Sequence, residues 1–138
     1  MKNLDLQGMS KSVGALLAVI GILGVLILAF DSVLREYAPT HFDALIIFVL
    51  VDFSLASVAI FKPSRVAFTL AAVWSMLRIA LLAGDVLQGV SLNYLFNPFN
   101  VVDVNPPGIP GAVLDLMLIL QIVLIPTSLK ARNVSSPA

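Results

Sequence analysis

No cysteine occurs among the 138 residues, and there is one histidine, His41. The missing thiols exclude disulfides, thiolate metal sites, iron–sulfur clusters and cysteine nucleophiles together. They also leave the redox compartment unread. One imidazole cannot build a zinc site that needs two or three, nor ligate a haem from both sides within one chain. Charge is scarce too: 12% of residues are Asp, Glu, Lys or Arg, against roughly 25% in soluble domains. Eight basic and eight acidic residues cancel, so the chain has no electrostatic footprint for nucleic acid. It carries no Walker loop, dinucleotide fingerprint, G-x-S-x-G or H-E-x-x-H pattern. Catalysis by the chain alone is not expected, and no cofactor is implied.

What remains is apolar surface. At 59% hydrophobic residues, the chain has too much for disorder and too little charge to coat a water-soluble globule. A membrane-crossing helix needs about 20 mostly apolar residues. Four stretches meet that length: Ser12 to Phe30, Ala44 to Phe61, Val66 to Gly84 and Gly111 to Leu129. Between them stand Ala38-Pro39-Thr40, Lys62-Pro63-Ser64, and a long segment with Pro98, Pro106, Pro107 and Pro110. Pro126 falls late in the fourth stretch, where it bends an exit rather than aborting a helix. The expectation is a single all-α transmembrane domain over residues 1–138, a bundle of four membrane helices.

Basic residues then orient it. Lys2, Lys11, Lys62, Arg65, Lys130 and Arg132 fall on one side of that topology, and Arg35 alone on the other. Asp31, Glu36, Asp43, Asp85 and Asp103 accompany Arg35. Both termini are therefore expected in the cytoplasm, in a cell membrane. The first apolar stretch exceeds the roughly 7–15 residues of a signal-peptide core, so cleavage there is not expected. Asn133-Val134-Ser135 matches a glycosylation pattern, but a cytoplasmic tail makes it a chance match.

Small residues mark where helices approach in lipid. Gly14, Ala18 and Gly21 share a face of the first span, and Asp52, Ala56 and Ala59 one of the second. Ala67, Ala71, Ser75 and Arg78 form a stripe on the third, within an arc of roughly 80°. On the fourth, Gly111, Asp115 and Ile122 are expected to face inward and Gln121 elsewhere.

Asp52, Arg78 and Asp115 are charges inside the spans. Each costs about 2.5–3.5 kcal/mol at mid-bilayer, so such groups face protein or water. Asp52 falls mid-span, Arg78 roughly 4 Å to the outer side of centre, and Asp115 about one turn from the outer surface. A guanidinium at that depth reaches either carboxylate. The leading reading is an ion pair or triad that fixes helix register. A proton or ion pathway and a docking charge for another subunit are the alternatives. Trp74, one turn before Arg78, offers a cation–π face or simple packing.

On the outer side, His41-x-Asp43 with Arg35, Glu36 and Asp31 is a weak metal pattern, and a solvated loop is the expected reading. The connection from Asp85 to Pro110 is too long for a tight turn and is rich in apolar groups. Resting in the headgroup zone, folding over the bundle and lying under a partner are all compatible with it. Its stretch Asn93 to Ile109 is expected to be ordered and to contact another chain through Tyr94, Phe96 and Phe99. The functional expectation is a small accessory subunit of a larger membrane complex, of the respiratory or metal-containing oxidoreductase kind. Foreign membrane subunits and lipid are the expected partners, ahead of a homo-oligomer. The alternative is a small transporter or proton channel using Asp52, Arg78 and Asp115.

Overall fold

The computed structural model describes residues 2–87 and 111–135. Among them there is helix and no strand. The order is α1 (Lys2–Phe30), α2 (Ser32–Tyr37), α3 (Pro39–Phe61), α4 (Arg65–Leu87) and α5 (Gly111–Val134). The expected contact segment with Tyr94, Phe96 and Phe99 lies outside the described residues.

Among the described residues, three helices are long and apolar enough to cross a membrane: Leu4–Phe30, Pro39–Phe61 and Val113–Val134; α4, over the expected third span, is not one of them. Their limits differ instructively from the apolar stretches. Lys2 to Lys11 continues the first helix although it is polar, because straight-chain residues propagate a helix once nucleated. Pro39 does break the chain, but only for one residue. It then opens α3 at the first helical position, where its missing N–H is not needed. Between these helices α2 is a single short piece, capped by the Asp31 carboxylate, which accepts from the Leu34 N–H at 3.0 Å. Ser64 caps α4 in the same way, accepting from the Ala67 N–H at 3.2 Å. Pro126 lies inside α5, which continues to Val134.

α1 packs along both α3 and α5, α4 packs along α5, and α3 meets α4 through a much thinner contact. The α1–α3 seam is the tightest. A Cβ on Gly14 would sit 2.3 Å from Ile60 Cγ1 and 3.2 Å from the Ala56 carbonyl oxygen. One on Gly24 would sit 2.5 Å from Val49 Cγ2, and one on Gly21 at 3.1 Å from the Phe53 ring. Rising numbers on α1 meet falling numbers on α3, so the two run antiparallel. At one end of the seam the Ser10 hydroxyl donates to the Ala59 carbonyl at 2.6 Å, both residues buried. The core between the long helices is Val13, Leu17 and Ile20 of α1, Phe68 and Ala71 of α4, and Met117 and Leu124 of α5.

The small-residue stripes of α3 and α4 face inward as expected: Asp52, Ala56 and Ala59, and Ala67, Ala71, Ser75 and Arg78, are all buried. The expectation for α5 is corrected. Gln121 is buried and Ile122 is 52% exposed, so the inner line is Met117, Gln121, Leu124, Ser128 and Ala131. Those positions recur at helical spacing and place apolar bulk in the core. Following the charge at Asp115 instead rotated the face by about 140°.

Outward faces are apolar. Ile47, Leu50, Val73, Leu77, Ile119 and Ile122 are exposed. Outward hydroxyls satisfy themselves locally: Ser54, Ser57, Thr69 and Thr127 each donate to the carbonyl four residues back, at 2.7 to 2.9 Å. Such back-bonding leaves little polar surface on a helix.

Candidate functional site: the buried Asp52–Arg78 cluster

The α3–α4 contact is thin in backbone terms and is filled by large side chains. Asp52 lies ten residues before Lys62 and Arg78 thirteen after Arg65, or about 15 and 20 Å along their helices from a shared end. Both are buried, at 1% and 7% exposure. The Arg78 Nη1 donates to Asp52 Oδ2 in a salt bridge. The other carboxylate oxygen, Oδ1, accepts from the Trp74 indole Nε1 at 2.8 Å. Asp52 is thus held at both oxygens by two α4 side chains one turn apart.

Phe48, one turn before Asp52, completes the cluster. The Arg78 Cζ lies 5.3 Å from its ring centroid. The Phe48 and Trp74 rings meet edge to face, with centroids 5.4 Å apart and planes at 85°. That geometry directs a positive ring edge at a negative face. A desolvated cation over a ring gains up to about 2 kcal/mol. The indole therefore does not stack on Arg78: it hydrogen-bonds the carboxylate, and Phe48 takes the cation–π role. Helical spacing back from Asp52 was the signal that could have found Phe48.

Asp115, the third charge singled out in the sequence, is half-buried and forms no ion pair among the described residues. The pair is Asp52–Arg78, without the triad. Two buried hydroxyls, Ser75 Oγ one turn from Arg78 and Ser128 Oγ on α5, have no hydrogen-bond partner among the described residues.

At the other end of α3 the weak metal pattern disperses. Asp31 serves as the α2 cap. Arg35 places its Cζ 5.1 Å from the Phe42 ring centroid. His41 and Asp43 are exposed, and Thr40 Oγ1 lies 3.5 Å from His41 Nδ1. Among the described residues no three His, Asp or Glu side chains gather as a metal site would require.

Chemically, the Asp52–Arg78 cluster is a clamp. A buried pair gains little net stability over an apolar replacement, because both ions lose their hydration. Sliding α3 against α4 would part the two charges inside an apolar interior. Compared with protein-family models, with curated proteins and with solved structures, the chain matches none of them.

Proposed function

We propose that this chain is a small four-span membrane protein with both termini in the cytoplasm, serving as a structural accessory subunit of a larger membrane complex. The fourth span in this reading is α4. Its 23 residues extend about 35 Å, more than the roughly 30 Å of a hydrocarbon core. Arg78 is its one charge between Val66 and Gly84.

The observation that carries the structural reading is the closure of the charge cluster. A proton or ion conductor needs a group that can release one partner for another. Here both oxygens of Asp52 are engaged from α4, and Phe48 lies over the guanidinium. Support for a partner comes from the sequence, where prolines stiffen a long apolar connection carrying Tyr94, Phe96 and Phe99. Purification in mild detergent should therefore bring down foreign subunits in fixed ratio. Photo-crosslinkers at Phe96 and Phe99 should trap one of them. A self-assembled particle, with crosslinks to lipid alone, overturns the accessory reading.

The orientation rests on charge. The Ser10–Ala59 and Arg65–Arg132 contacts gather Lys11, Lys62, Arg65, Lys130 and Arg132 at one end of the molecule. An end so charged stays on the cytoplasmic side. Reporter fusions at either terminus should be active only there. Activity of a C-terminal fusion on the far side would overturn the four-span topology.

A further inference from the structure

Three separate stretches of sequence bring cations to one end of the helices. The Ser10 hydroxyl bond to Ala59 sets the next residue, Lys11, level with the last turn of α3. Lys62 follows that turn directly. Arg65 Nε donates to the Arg132 carbonyl at 3.4 Å, joining the start of α4 to the last turns of α5, which also carry Lys130. All five cations are exposed. Among the described residues, the one carboxylate at this end is Asp5, in the first turn of α1.

Large apolar groups are set among these charges. Phe61 is 79% exposed and Val66 64%. They flank Lys62 and Arg65 in sequence, at the junction of α3 and α4. A soluble phosphate would be attracted by the cations but would gain nothing from Phe61 or Val66. A lipid with an anionic phosphate headgroup uses both, its phosphate against the cations and its upper acyl chain against the apolar pair.

We propose that Lys62, Arg65 and Arg132, with Phe61 and Val66, bind the headgroup and upper acyl chain of an anionic phospholipid. The proposal rests on the membrane reading above and is independent of any partner subunit, so it is tested on the isolated full chain. The chain is placed in nanodiscs of phosphatidylcholine containing a minority of phosphatidylglycerol. Retained lipid is then counted by native mass spectrometry, and melting is followed in parallel with added inorganic phosphate.

Phosphatidylglycerol should be retained in preference to phosphatidylcholine. Each cation removed should lower that preference about fivefold. Lys62→Gln and Arg132→Gln are the variants of choice, since Arg132 meets Arg65 through its backbone carbonyl, which the substitution keeps. Phe61→Asn should weaken lipid retention as well, and Arg35→Gln at the opposite end should leave it unchanged. Equal retention of the two lipids overturns the proposal, as does an undiminished preference in the Lys62→Gln/Arg132→Gln variant. Stabilisation by inorganic phosphate equal to that by the lipid would mark a soluble-anion site and overturn it too. A chain that enters nanodiscs without lipid preference removes this proposal alone. A chain that fails to enter them removes the membrane reading with it.

Discussion

Arg78→Leu is expected to destabilise the molecule severely. It leaves the Asp52 carboxylate at 1% exposure with one hydrogen bond, from Trp74, and no countercharge. Removing one member of a buried pair costs about 3–5 kcal/mol for this reason. Trp74→Phe keeps the ring against Phe48 but deletes the donor to Asp52 Oδ1. Its loss is that of a hydrogen bond to a charged group, about 1.5–3 kcal/mol. Lys130→Leu, at an exposed position, is the control. Melting in mild detergent and steady-state accumulation should rank Lys130→Leu mildest, Trp74→Phe next and Arg78→Leu worst. The double variant Asp52→Leu/Arg78→Leu removes both charges and should recover much of the loss. An Arg78→Leu protein as stable as Lys130→Leu would sink the clamp. So would a double variant as damaged as the single, because an abandoned charge could not then be the cause.

The glycines of α1 should give the second large effect, with signs that differ along one helix. Replacing glycine by alanine inside a helix ordinarily stabilises it by about 0.5–1 kcal/mol. Gly8 has nothing within 4 Å of its added Cβ, so Gly8→Ala should show that ordinary gain. Gly24→Ala should reverse it. The new methyl meets Val49 Cγ2 at 2.5 Å, and a β-branched side chain in a helix has almost no other rotamer to adopt. Gly14→Ala should also destabilise, since the new methyl meets Cγ1 of Ile60, another β-branched side chain, at 2.3 Å and the Ala56 carbonyl oxygen at 3.2 Å. Gly21→Ala meets only the edge of the Phe53 ring, which can tilt, and should fall between. Overpacking of this kind costs about 1–3 kcal/mol, and Gly14→Leu or Gly24→Leu should exceed it by forcing α1 away from α3. Thermal melts of the alanine series provide the check. Equal gains at Gly8, Gly14 and Gly24 would mean that α1 and α3 are farther apart than described.

Much of this arrangement could be read from residue spacing. At 1.5 Å per residue Arg78 falls within a guanidinium's reach of Asp52 and of Asp115, and it is the structure that selects Asp52. The inward stripes of α3 and α4 were legible, since small residues and charges coincide on one face. On α5 the two signals separate: Asp115 lies near one end, while the closely packed positions follow Met117, Gln121 and Leu124. Apolar helices offer little contrast between faces, so one misplaced charge turns the assignment. The division of labour between Trp74 and Phe48 was not legible either. Both rings lie one helical turn from a charge, and only side-chain geometry decides which donates a hydrogen bond and which receives the cation. The helix α2 was hidden because its stabilisation comes from a cap and from packing, which leave no periodicity in six residues.

The short link Lys62-Pro63-Ser64 has a consequence for how the chain is made. Asp52 and Arg78 are 26 residues apart. At about 5–20 residues per second, the arginine emerges from the ribosome roughly 1–5 seconds after the aspartate. During that interval α3 carries a carboxylate that raises its insertion cost by about 2.5–3.5 kcal/mol. The next helix brings the matching charge, and no intervening domain delays it. In the four-span topology proposed above, a hairpin whose two arms neutralise each other favours lateral release into lipid as a unit.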